Sequence, residues 1–111
     1  MDIQQREQDG IQILELSGKI MGGPDASTIN DKLHSLVEAG QTKIVADLSK
    51  VNWMNSSGLG ILINALTTMR NAGGELKVAA VTEKIKNLLT ITKLSKVIKL
   101  YDTVNEAIVD F

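Results

Sequence analysis

Trp53-Met54-Asn55-Ser56-Ser57-Gly58-Leu59-Gly60 joins two apolar runs of different period. Before it, Lys43–Leu48 carries Ile44, Val45 and Ala46 in succession, short enough for a buried strand. After it, the spacing predicts a helix over Ser56–Asn71, stopped by Gly73-Gly74. A strand that runs through a polar, glycine-containing turn into a helix is half of a parallel crossover unit. In such sheets ligands gather at the carboxyl ends of the strands. The start of the helix also leaves unpaired N–H groups and partial positive charge, which suit an anion or a phosphate. Gly58 and Gly60 clear side chains from the first turn. A purely structural reading stands beside this one, because Asn and Ser are ordinary helix N-caps and glycines at a turn need no ligand.

The same alternation extends outward in both directions. Asp2–Glu7 reads as a weak strand, Asp9-Gly10 as a hairpin turn and Ile11–Ser17 as a second strand. Pro24 suits the first turn of a helix over Asp25–Ala39, with Ile29, Leu33, Leu36 and Val37 on one face and Gly40 just past its end. Beyond Gly74 follow a strand Glu75–Val81, a helix Thr82–Thr92 and a strand Val97–Tyr101. Thr103-Val104-Asn105-Glu106 has the capping-box pattern, and opens a last helix with Val104, Ala107, Ile108 and Phe111 as its apolar stripe. The order β-β-α-β-α-β-α-β-α predicts an α/β fold: a small mixed sheet, parallel by crossover after an antiparallel hairpin, covered by helices. With 111 residues and no linker, repeat or low-complexity segment, residues 1–111 read as one domain.

Composition narrows the chemistry. The absence of cysteine excludes disulfides, thiolate metal sites and a cysteine nucleophile, and the one histidine, His34, excludes His–His ligation. His34 falls off the apolar face of its helix, which makes it a solvated side chain rather than a base. No acid–base pair, metal set or nucleophile triad assembles, so no enzyme, metal or cofactor is expected. The net charge of −1 exerts no pull on nucleic acid, and Trp53, Tyr101 and Phe111 are too few for a base-stacking platform. The polar start MDIQQREQDG has no signal-peptide core, and no run approaches the roughly 18–20 apolar residues of a membrane span. A cytoplasmic protein without membrane insertion is expected. No lysine follows Gly60 in the manner of a nucleotide-binding P-loop, and Asn55-Ser56-Ser57 matches a glycosylation sequon by accident.

In the helix after Ser56, the residues Leu59, Ile61, Leu62, Ile63, Ala65, Leu66 and Met69 spread over an arc of about 200°, more than a surface helix needs. The helix is either deeply buried or keeps one apolar edge exposed as a docking face beside Ser56 and Ser57. Trp53 reads as a packing residue below the site. Lys84, Lys86, Lys93, Lys96 and Lys99 read as a solvated basic face.

Asp47-Leu48-Ser49-Lys50-Val51-Asn52-Trp53-Met54-Asn55-Ser56-Ser57-Gly58-Leu59-Gly60 resembles the signature of the STAS domain of bacterial anti-sigma factor antagonists, D-L-S-x-V-x-x-[ML]-D-S-[ST]-G-[LI]-[GA]. Three further segments resemble the family in order along the chain: Leu16-Ser17-Gly18-Lys19-Ile20, Ala72-Gly73-Gly74-Glu75-Leu76 and Asn87–Leu94. The resemblance implies the STAS fold, four to five strands packed with about four helices. It implies a regulator that binds an anti-sigma factor, itself a GHKL-type serine kinase, and so frees a sigma factor for transcription. The kinase phosphorylates the serine after the signature Asp and abolishes binding; a PP2C-type phosphatase restores it. By position that serine is Ser56, with Ser57 as second choice. The partner-binding surface would comprise Asn55, Ser56, Ser57, Gly58, Leu59, Met21, Asp25 and Ile63. The chain departs from the pattern twice: Asn55 stands for the signature Asp, and Met21 for a frequent Asp after the early segment, with Asp25 as a possible substitute. Asn55 keeps the capping ability without the charge, as an unswitched, constitutively binding relative would. Two other roles fit the same features. One is a STAS subunit of a larger signalling or lipid-transport ABC assembly with no phosphate cycle. The other is a small-anion or nucleotide module at the Ser56 helix start.

Overall fold

The computed structural model describes residues 1–111. Asp9 and Gly10 both adopt positive φ, 56° and 79°, and turn strand β1 (Asp2–Gln8) back on β2 (Ile11–Ile20). From there every strand is parallel to the last. Helix α1 (Pro24–Glu38) carries the chain to β3 (Lys43–Met54), and α2 (Ser56–Asn71) to β4 (Glu75–Ala79). Helix α3 (Glu83–Ile91) and a 3₁₀ turn at Leu94–Lys96 lead to β5 (Leu100–Tyr101), and α4 (Val104–Val109) ends the fold. The strand order is β1-β2-β3-β4-β5.

That monotonic order decides where the core sits. Crossovers of one hand, each stepping one strand further in the same direction, place their helices on the same face of the sheet. Accordingly Leu14, Leu16, Ile44, Ala46, Leu48, Leu76 and Val78 point into one large core with Leu33 of α1, Leu62 and Met69 of α2, and Ile85 and Leu89 of α3. The opposite face is covered by α4, where Ala107 and Ile108 pack on Ile11, Ile13, Val45 and Ala79. Lys77 points to this second face and is buried there. Its Nζ lies 3.4 Å from Asp110 and 4.1 Å from the centre of the Phe111 ring, a charge stabilised by a carboxylate and an aromatic face. No helix is long and apolar enough to cross a membrane.

The expected five strands and four helices are present, with four boundaries corrected. β2 runs to Ile20 rather than Ser17, and β3 to Met54 rather than Leu48. The extension of β3 was hidden by Ser49, Lys50 and Asn52, which are polar and exposed, while Val51 and Met54 in the same stretch are fully buried. β4 stops at Ala79, because Ala80 has φ 58° and leaves the strand. The expected strand Val97–Tyr101 shrinks to Leu100–Tyr101; Val97 is exposed and its N–H closes the 3₁₀ turn on Leu94 instead of joining β4. α2 is the buried alternative of the two drawn from its broad arc. Leu59, Ile61, Leu62, Ala65 and Met69 are buried, while Ile63 and Leu66 are only half-buried at one margin.

Candidate functional site

The ends of β2 and β3 meet the start of α2 at one corner of the sheet. Ile20 pairs with Met54, the last pair of the β2–β3 ladder. Asn55 leaves the strand in an extended conformation, φ −94° and ψ −175°, and Ser56 is the first residue of the helix. The cap is made by Asn55, whose Oδ1 accepts from the Gly58 N–H at 2.8 Å. The carbonyl of Asn55 accepts from the Leu59 N–H at 2.9 Å. The serines are therefore not the caps. Both are exposed in the first turn, beside the positive end of a 16-residue helix.

Gly58 has a different role from the one its position suggests. A Cβ there would lie 2.0 Å from the Ile20 carbonyl oxygen and 2.7 Å from Met54 Cγ. The close approach it permits is between α2 and the end of β2, within the protein, and Gly58 is buried. Gly60, by contrast, is exposed with nothing within 4 Å of an added Cβ.

The loop from β2 to α1 folds over the same corner. The Asn55 Nδ2 donates to the Met21 carbonyl at 3.0 Å, and the Met21 N–H donates to Asp25 Oδ2 at 3.1 Å. Gly22, at φ 94°, passes so near Ser57 that a Cβ on it would stand 2.8 Å from Ser57 Cβ. Asp25 thus joins the site as a support for the loop, with its other oxygen 3.7 Å from the amino-terminal ammonium. Met21 is 44% exposed. The structure brings Met21, Asp25, Asn55, Ser56, Ser57 and Gly58 together. Leu59 is buried beneath them, and Ile63 sits half-buried two turns along α2, on the same stripe as Ser56 and the exposed Gly60.

Trp53 overturns its expected place. It is not beneath the site but on the surface, 37% exposed, with Lys84 Nζ of α3 4.7 Å from its ring centre. Asn52 and Trp53 are both exposed between the buried Val51 and Met54, because the pairing with β2 skips one residue here, so regular alternation along β3 does not place the ring. Lys84 at the start of α3 could not be placed over the ring without knowing that α3 begins beside the end of β3. His34 is exposed, as its position off the apolar face predicts. Two large exposed apolar side chains, Met21 just past β2 and Trp53 near the end of β3, therefore share the carboxyl end of the sheet with two exposed serines. This arrangement offers contact area and hydroxyls, and no charged residue converges on a reacting centre. It suits a protein partner and a modifiable hydroxyl better than a substrate.

Residues 2–107 match the family model of the STAS domain. The anti-sigma-B factor antagonist of Bacillus subtilis is 31% identical over 100 residues, covering 90% of this chain and 88% of its own length. A Thermotoga neapolitana protein, named as a candidate anti-sigma factor antagonist, is 35% identical over 69 residues; that match covers 62% of this chain and 61% of the relative. Among solved structures, TM1081 of Thermotoga maritima, described in the same terms, superposes with a TM-score of 0.84 at 26% identity, covering 97% of this chain and 92% of that one.

Proposed function

Because the chain belongs to the STAS domain family, we propose that it is an anti-sigma factor antagonist, a binding regulator whose affinity for its partner is set by phosphorylation of Ser56. The observation that carries the reading is the division of labour in the first turn of α2. Asn55 does the capping, which leaves the hydroxyl of Ser56 exposed and free of that task, on the helix stripe of Gly60 and Ile63 and next to the Asn55 that holds the Met21 loop. The partner is an anti-sigma factor with GHKL-type serine kinase activity. Bound to this corner it releases a sigma factor, in the cytoplasm where bacterial transcription takes place. The kinase transfers the γ-phosphoryl group of ATP to Ser56 Oγ, the bond to ADP breaks and the hydroxyl proton leaves. A PP2C-type phosphatase reverses the state by hydrolysis.

The phosphate adds about −1.5 to −2 charge. In the free protein it is tolerated, because it stands in water at a helix start. Against a docked partner it must lose that water without a counter-charge, and a buried unpaired charge costs several kcal/mol. The fold need not change for the complex to dissociate.

The test is calorimetric titration of Ser56→Ala and Ser56→Asp proteins with the anti-sigma kinases of the same organism, alongside fragment mass spectrometry of the native protein. Ser56→Ala retains binding, Ser56→Asp weakens it by about 100-fold or more, and phosphate maps to Ser56. Equal affinity of the two variants for every kinase removes the switch. Asn55 in place of the signature Asp favours a second reading, a constitutive docking subunit, which absence of phosphate in growth and in stress would support.

A further inference from the structure

Asn55 does more at this corner than begin a helix. The N–H of Gly58 points at one end of its side-chain amide, so that end is the oxygen, and the other end is the NH₂ group. The NH₂ faces the carbonyl of Met21, 3.0 Å away, which can only accept. On the far side of the same residue, the Met21 N–H is taken by the carboxylate of Asp25. Both backbone polar groups of Met21 are thus held by side chains, one from the start of α2 and one from the first turn of α1. The held residue is the most exposed large apolar side chain at the site end of the sheet. Gly22, the next residue, rests on Ser57.

A carboxylate at position 55, the residue of the signature this chain resembles, would keep the cap but set an acceptor oxygen against the Met21 carbonyl. We propose that Asn55 is a positioning residue: its amide, with Asp25, clamps the Met21–Asp25 loop over the α2 start and presets Met21 as a contact of the docking surface. In this chain the Asn is matched to the loop and the signature Asp is not. The importance of Met21 to a partner rests on the function proposed above; the clamp itself is read on the free protein.

Hydrogen exchange by NMR on the wild-type chain, Asn55→Asp and Asn55→Ala tests it, following the amides of Met21, Asp25 and Gly58 from about pH 3.5 to 7. At neutral pH the Met21 and Asp25 amides exchange about tenfold faster in Asn55→Asp than in the wild type at the same pH, the change that loss of one hydrogen bond gives. On acidification the carboxyl gains a proton that it can donate to the Met21 carbonyl, and the ratio to wild type falls toward one. In Asn55→Ala the loop exchanges fast throughout. Asp25 of α1, the amino-terminal ammonium beside it, Lys19 of β2 opposite Trp53, and Lys84 of α3 are charged groups at this end of the sheet. All four are common to the three proteins, so Asn55→Ala carries their contribution. Gly58 is the internal control: its amide stays protected in Asn55→Asp, which still caps, and loses protection in Asn55→Ala. Loop exchange in Asn55→Asp equal to wild type at pH 7 overturns the clamp. So does an acceleration that does not reverse on acidification. Both outcomes are independent of whether any anti-sigma factor binds.

Discussion

Gly58 and Gly60 lie on the same helix two residues apart, and replacing each by Ala has opposite consequences. In a helix interior Ala is favoured over Gly by about 1 kcal/mol. At Gly60 nothing opposes that gain, since an added Cβ meets no atom within 4 Å, so Gly60→Ala stabilises by about 0.5–1 kcal/mol. At Gly58 the added Cβ stands 2.0 Å from the Ile20 oxygen and 2.9 Å from the Ile20 carbonyl carbon. Ordinary contact needs about 1.4 Å more, and the obstacle is backbone in a strand, not a side chain that can swing away. Overpacking of this kind costs about 1–3 kcal/mol or more. The displaced carbonyl also accepts from Asn55 N–H at 3.4 Å, so the corner loosens as well. An approach of 2.0 Å to backbone belongs at the upper end of that range, about 3 kcal/mol or more; less the helix gain of about 0.5–1 kcal/mol, Gly58→Ala is destabilised by about 2 kcal/mol or more. Urea denaturation followed by far-UV circular dichroism reads this directly. With a slope of about 1.5 kcal/mol/M, the midpoint falls by roughly 1 M or more for Gly58→Ala and rises by about 0.5 M for Gly60→Ala. A Gly58→Ala protein as stable as wild type would refute the close approach of α2 to β2.

Acid stability should respond to Asp110. Its carboxyl is held down to about 2 by the hydrogen bond from Tyr101, then by the one from Lys99 and by the charge of Lys77. A carboxyl whose folded value is depressed stabilises the fold above its unfolded value, near 3.8, and loses that contribution as pH falls toward 2. Urea stability of the wild type therefore declines between about pH 4 and pH 2 by more than that of Asp110→Asn, and the two converge at the acid end. Thr82, in the segment after β4, caps α3 by accepting from the Ile85 N–H. Thr82→Ala costs about 1 kcal/mol in the same denaturation assay.

Helix α2 was legible because its two ends are punctuated and its period is sustained: the boundaries Ser56 and Asn71 are as read. The edges of strands were less so. Leu48 looks like the end of an apolar run, yet β3 continues six residues further; two irregularities in its pairing with β2 space the buried Leu48, Val51 and Met54 three apart, which hides the two-residue period of a strand. Val97-Ile98-Lys99-Leu100-Tyr101 has strand composition throughout, but only its last two residues reach β4. At the site, the place of Ser56 and Ser57 in the first turn of α2 followed from local spacing. The second bond of Asn55 did not, because its acceptor is the carbonyl of Met21, 34 residues earlier. Lys77 gave no warning of burial for the same reason, since Asp110 and Phe111 arrive from the far end of the chain.

The sequential strand order has a consequence for synthesis. Each strand after the first hairpin adds to the outer edge of the one made just before it, so no strand waits for a later one to be inserted between it and its neighbour. A chain leaving the ribosome, at about 5–20 residues per second, can zip its sheet in the direction in which it is translated. Once Asn71 has emerged, the strand ends, the Met21 loop and the first turn of α2 that together make this corner are all present, while the two-residue edge strand and α4 are still unmade. The corner proposed above as the docking surface is thus among the first parts of the protein to find its own neighbours.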